Sequence, residues 1–284
     1  MVEPIAIPLT AGEGGSRKPR KLAALLAQLR DPYALTGVTI YLGFLIVAIC
    51  ADALAPYGPT DILFTDDGQL AASLPPSAAH LLGTTNLGRD VFSQLVLGSR
   101  PSLFVGLTAA IAVAALGTIA GLVSGYLGGL ADRVLMRIAD VILGLPFLPF
   151  VIVTIALTGP SLTHIVLAVA LLLWPNAARV TGASPWRIIF VHIAPNVLPL
   201  SFLYGTIAVG WAILTQASVS FLGFGDTDVI SWGTMLQDAY ASQALDRGQY
   251  AWFVPPGLCI VLVVLAGFFI SRGYEEILFP KLRD

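Results

Sequence analysis

The chain has 284 residues, 56% of them hydrophobic and only 11% charged, with a mean hydropathy of +0.83 and a formal net charge of −2. Soluble domains carry about 25% charged residues, so a soluble globular fold is excluded. The net charge says nothing of nucleic acid, and with no basic stripe interleaved with aromatics no nucleic-acid partner is expected.

A membrane span needs about 20 mainly apolar residues to cross the hydrocarbon core. Six runs are read as spans, at 35–55, 102–127, 137–158, 161–176, 197–222 and 252–271. Ahead of them, residues 1–34 carry Arg17, Lys18, Arg20, Lys21 and Arg30 and read as a cytoplasmic tail whose basic pairs can meet anionic headgroups. The first apolar run is too long and too late for a removable signal peptide, so it is read as a retained span. Basic residues collect on the cytoplasmic side of membrane proteins. With the N-terminus inside, twelve of the fifteen Lys and Arg fall on that side, leaving Arg89, Arg100 and Arg247 opposite. This predicts an all-α membrane protein of six transmembrane helices, N-in and C-in. Its divisions are a tail (1–34), span one (35–55), an outer segment (56–100), a core of spans two to six (101–276) and a C-terminal tail (277–284).

The outer segment contains His80-Leu-Leu-Gly83-Thr84-Thr85-Asn86-Leu87-Gly88-Arg89-Asp90-Val-Phe-Ser93. Two glycines five apart, followed by Arg-Asp at a predicted helix start, suggest a structured turn entering span two. Span two is crowded with small residues, and Gly117 and Gly121 give it a small-xxx-small face for close packing inside a bundle. Gly128-Gly129 turns the chain back, and Arg137 and Asp140 share a helical face as an expected interfacial ion pair. The last outer segment, 223–251, leads into Trp252-Phe253-Val254-Pro255-Pro256, an aromatic at headgroup level with a bend at the outer entrance of span six.

Enzymatic chemistry finds little support. The only lysines are Lys18, Lys21 and Lys281, and none sits in a Gly-rich phosphate-binding loop. Gly223-Phe224-Gly225-Asp226 matches the short string of intramembrane aspartyl proteases, but no neighbouring span supplies a second, deeply placed aspartate. His80, His164 and His192 are scattered without metal-ligand spacing. Cys50 and Cys259 read as small buried hydrophobes. No catalytic residue, metal site or cofactor is expected on this chain.

The most informative stretch is the polar break between spans four and five, Asn176-Ala177-Ala178-Arg179-Val-Thr-Gly182-Ala183-Ser184-Pro185-Trp-Arg187-Ile-Ile-Phe-Val-His192-Ile-Ala-Pro195-Asn196. Ser184 as N-cap with Pro185 at the first helical position is a favoured helix start. A short cytoplasmic helix follows, with Trp186, Ile189, Phe190 and Ile193 on one face. Spacing alone leaves two readings open, a mere connector or a docking surface.

These residues complete a pattern that resembles the permease subunits of dipeptide, oligopeptide and nickel ABC importers, the second of the two permeases such systems encode. The resemblance runs from about residue 30 to the end. It rests on Gly83-Thr84…Leu87-Gly88-Arg89-Asp90-Val91, on Gly128-Gly129…Asp132-Arg133…Arg137…Asp140, and on Gly182-Ala183-Ser184…Arg187…His192…Pro195-Asn196. It rests also on Ser220-Phe221-Leu222-Gly223-Phe224-Gly225…Ser231-Trp232-Gly233 and on Pro280-Lys281-Leu282-Arg283. The resemblance implies a heterodimer with a second permease, two ATP-binding subunits below, an extracytoplasmic substrate-binding protein above, and a multi-pass place in the cytoplasmic (inner) membrane. It implies that Ala177, Ala178, Gly182, Ala183 and Ser184 form the ATPase-coupling surface together with Arg179, while Arg187, His192, Pro195 and Asn196 brace it against span five. Peptides or a related small solute would cross by alternating access.

The chain departs from that family at four places. Asn176 stands where a Glu is usual, and about twenty cytoplasmic residues between span four and the Ala177-Ala178 pair are missing. Gln216 replaces a common Glu, and Thr85-Asn86 replaces an acidic pair. A shortened coupling loop makes the alternative a membrane interaction subunit uncoupled from its ATPases.

Overall fold

The computed structural model describes residues 31–181 and 194–278, with side-chain environments for 31–178 and 204–273. Among these residues the regular structure is helical, with only isolated bridges at Phe64–Leu70 and Thr84–Asp90.

Helix α1 (Pro32–Ile49) starts where the sequence tells it to. The Asp31 side chain accepts the Tyr33 and Ala34 N–H groups at 2.8 and 2.9 Å, and Pro32 occupies the first turn, where its missing N–H is harmless. A short turn, α2 (Ala51–Leu54), follows. Helix α3 (Val91–Leu97) and the 29-residue α4 (Ser99–Leu127) meet at Gly98 and together make one apolar stretch of 37 residues. Helix α4 is the centre of the bundle, packed along α7 (Leu162–Thr181) and α8 (Ala194–Val219). Its glycines are what let those helices close in. A methyl group on Gly106 would stand 2.7 Å from the Ile213 side chain, and one on Gly117 would stand 3.0 Å from the Trp174 carbonyl. Gly117 and Gly121, the predicted small-residue face, are both buried.

The third predicted span is not one helix. Helix α5 (Gly129–Leu143) and helix α6 (Phe147–Thr158) meet at 90° across Gly144-Leu145-Pro146. Pro146 cannot donate to a helical carbonyl and pushes Leu145 out of helical geometry, so the chain turns there. The fourth run differs in the opposite sense. Helix α7 continues through Pro175 and ends only at Thr181, although its apolar part, Leu162–Ala178, is short for a crossing. Four stretches are long and apolar enough to span a bilayer, Pro32–Ile49, Val91–Leu127, Tyr204–Phe224 and Tyr250–Gly273, and the bent α5–α6 pair makes a fifth if it counts as one span. The described residues therefore carry four to five spans by length and composition.

After α8 the chain makes a π turn (Ser220–Phe224) in which Gly223 takes φ +86°, then a short helix α9 (Trp232–Ala241) and the long final helix α10 (Tyr250–Leu278). Helix α10 passes through Pro255 and Pro256 and lies along α1, where Gly37 and Gly273 allow contact with Ile270 and Ala34. Arg100 ties the other end of α1 to α4. Its Nε donates to the Ala48 carbonyl at 2.7 Å, one terminal nitrogen reaches the Ile49 carbonyl at 3.3 Å, and both terminal nitrogens hold Asp52. These carbonyls are the ones a helix end leaves without partners.

Candidate functional site

Two polar assemblies bracket α8, a helix of 26 residues and so about 39 Å long. Before it lies the predicted coupling segment. Ala177 and Ala178 sit near the end of α7 and are buried at 1% and 0% exposure. Ala177 joins the main core beside Gly117, while Ala178 packs with Ala139 and Trp174. Both are covered by the chain's own helices. Arg179 falls in the last turn of α7, and Pro195 and Asn196 in the first turn of α8. Gly182, Ala183, Ser184, Arg187 and His192 lie outside the described residues.

Beyond the far end of α8 the chain folds into a latch. Gln216, only 1% exposed, donates from Nε2 to the Ser220 hydroxyl at 3.1 Å and to the Ser231 hydroxyl at 2.8 Å. Ser231 in turn is the N-cap of α9. Its Oγ accepts the Thr234 N–H while the Thr234 hydroxyl accepts the Ser231 N–H, a reciprocal capping pair. Trp232, the largest fully buried side chain, then crosses to α3 and α4. Its indole N–H donates to the Leu95 carbonyl at 3.0 Å and its backbone N–H to the Ser102 hydroxyl at 3.2 Å. Gly233 must be glycine here, because a Cβ would meet Ala217 Cα at 2.6 Å and Ser220 Cβ at 2.9 Å. The string Ser220–Gly225 with Ser231-Trp232-Gly233 thus makes one joint between α8, α9 and the start of α4.

The turn before α3 is equally built. Gly83 and Gly88 take positive φ, and Asp90 caps α3 through the Ser93 N–H (2.8 Å) and hydroxyl (2.7 Å). The other oxygen of this 1%-exposed carboxylate lies 3.0 Å from His80 Nδ1. Sequence reasoning picks out the Arg-Asp helix start and the Ser-Trp-Gly string but not their partners. The Ser-x-x-Thr spacing of Ser231 and Thr234 is the signal that could have found the α9 cap.

The arrangement is that of a helical membrane subunit with polar joints at helix ends and, among the described residues, no group of His, Cys, Asp or Glu that could hold a metal ion. Comparison with known proteins identifies the family. Residues 174–284 match the family model described as binding-protein-dependent transport system inner membrane component. The chain is 33% identical over 271 residues to a probable D,D-dipeptide transport system permease protein of Escherichia coli, covering 88% of each chain. It is 34% identical to the dipeptide transport system permease protein of Haemophilus influenzae, covering 88% of this chain and 91% of that one. With the oligopeptide transport system permease protein of Bacillus subtilis the identity is 32%, covering all of this chain and 97% of the relative. That last alignment runs over 306 positions against a chain of 284, which leaves 22 positions with no counterpart here. Identity at this level along most of the length, on an all-helical frame with several spans, means that the chain belongs to the inner-membrane permease family of dipeptide and oligopeptide ABC importers and is a multi-pass protein of the cytoplasmic membrane.

Proposed function

We propose that the chain is the permease subunit of an ATP-driven importer that moves peptides or a related small solute inward by alternating access. It pairs with a second permease in the lipid bilayer, receives solute from an extracytoplasmic binding protein, and is driven by two separate ATP-binding subunits on which hydrolysis takes place. It adopts six spans with both termini in the cytoplasm, and it needs no cofactor of its own. The observation that carries this reading is the family membership along nearly the whole chain, together with the polar segment set between two long helices. Gly182, Ala183 and Ser184 form the face that meets the ATPases. Arg187 and His192 hold it, and Ala177, Ala178, Arg179, Pro195 and Asn196 anchor its two ends. Helix α8 then carries movement from this face to the latch at Gln216 and Ser231.

Mild-detergent purification from native membranes, with mass spectrometry of the accompanying proteins, tests the assembly. Recovery of a second permease and ATPases supports the importer. Gly182→Arg or Ala183→Asp should remove the ATPases while leaving membrane insertion intact, and unchanged co-purification would overturn the assignment of the coupling face. One observation favours a second reading, an uncoupled interaction subunit: in the sequence Trp174-Pro175 runs almost straight into Asn176-Ala177-Ala178-Arg179. Recovery of the second permease without ATPases from the unaltered chain would establish that reading.

A further inference from the structure

Beside the latch, on the face that carries α9 and the turn at residues 83–90, lies a cavity of about 90 Å³ lined in part by Thr85, Asn86, Arg89, Gln94, Asp238 and Trp252. It brings together groups that the fold leaves unused. Arg89 Nε and the indole N–H of Trp252 are buried and donate to nothing, and Trp252 as a whole is only 3% exposed. Buried donors are nearly always paired, so two of them at one cavity point to an absent acceptor. Asp238 lines the same cavity as Arg89. The two make no ion pair within 4.0 Å with each other or with any described side chain. Yet they sense one another: burial holds the Asp238 carboxyl above its ordinary range, and the guanidinium charge pulls it back down.

Opposite charges that line one cavity without pairing select what fits between them. A simple anion would meet the Asp238 carboxylate, and a simple cation would meet the Arg89 guanidinium. A neutral apolar group would leave both charges and both N–H groups unpaired. A molecule carrying a carboxylate and an ammonium a bond or two apart satisfies all of them. The volume, room for roughly six to nine waters at about 10–15 Å³ each, suits a small molecule of this kind. We propose that this cavity is a binding site for a small zwitterionic amino acid, glycine or alanine, with the carboxylate on Arg89 and the Trp252 indole and the ammonium on Asp238. The proposal does not depend on the importer reading.

Equilibrium dialysis with radiolabelled glycine, on the full chain with its co-purifying partners in nanodiscs, tests it. The expected result is saturable binding near one glycine per chain, displaced by alanine and not by equal concentrations of acetate or methylamine. Asp238→Asn and Arg89→Met should each weaken binding at least tenfold, while Asp246→Asn, outside the cavity, leaves it unchanged. No saturable binding above empty nanodiscs would mean that the cavity holds water only and would overturn the proposal. Displacement by acetate as effective as by alanine, or full binding in both cavity variants, would overturn it too. If either variant fails to assemble, the competition series on the unaltered chain decides the matter alone.

Discussion

Ser231→Ala tests the latch most directly, because one hydroxyl serves two partners there. It caps α9 through the Thr234 N–H and accepts the Gln216 side-chain amide at 2.8 Å. Losing an N-cap hydroxyl costs about 1 kcal/mol. Leaving a buried amide N–H without its acceptor adds about 1–3 kcal/mol, and Gln216 has no water to turn to at 1% exposure. Together these lower the free energy of local opening of α9 by about 2–4 kcal/mol. Amide exchange across Trp232–Ala241 reports that opening. At 1.4 kcal/mol per tenfold, it should accelerate by roughly 30- to 700-fold while exchange in α1 stays as it was. Ser231→Thr keeps the hydroxyl and should remain near the unaltered rate. Acceleration of less than threefold in the Ala variant would refute the claim that this hydroxyl joins α8 to α9.

Two further outcomes follow from other parts of the structure. Gly117→Ala should destabilise the α4–α7 contact by about 1–3 kcal/mol through overpacking, since the added methyl meets the Trp174 carbonyl and Ala177. A lowered half-inactivation temperature in detergent, with Gly43→Ala unaffected in open space, checks it. Asp238 has a raised carboxyl pKa, first through burial. The folded state therefore binds its proton more tightly than the unfolded chain, and this contribution to stability is fully present below the ordinary carboxylate value of about 3.9 and is lost as pH rises through the folded value. Thermal stability should gain a component on acidification through that window, and Asp238→Asn should abolish it.

The long apolar elements were legible because length and composition alone decide whether a segment can cross a bilayer. Helices α1, α4, α8 and α10 all sit on predicted runs. The helix starts at Asp31 and Asp90 were of two kinds. Asp90 could be read from its Arg-Asp-Val context, whereas Asp31 was absorbed into the predicted tail although its side chain caps α1. The third and fourth runs differ in helix shape from what hydropathy suggests, for a shared reason. Hydropathy does not register a proline's effect on backbone geometry, which broke one helix at Pro146 and was accommodated at Pro175. Of the site, the motif strings were visible but their pairings were not. Ser102 and Trp232 are 130 residues apart, and nothing local in either announces the other. Ala177 and Ala178 are a similar case. Small residues suit a contact surface and a tight helix crossing equally, and the packing of Ala177 against Gly117 could not be read from the sequence.

Helix α1 is held by two different neighbours. Gly37 and Gly273 let it lie flush on α10, while Arg100, an α4 residue, grips the carbonyls at its terminus. It therefore acts as a tie rod between α4 and α10. Any sliding of one against the other must stretch the guanidinium grip or peel the glycine contact. The grip is short, charged and solvent-accessible, whereas the glycine contact is long and apolar. The more extensive of the two is the glycine contact, so the first helix packs chiefly as the partner of the last.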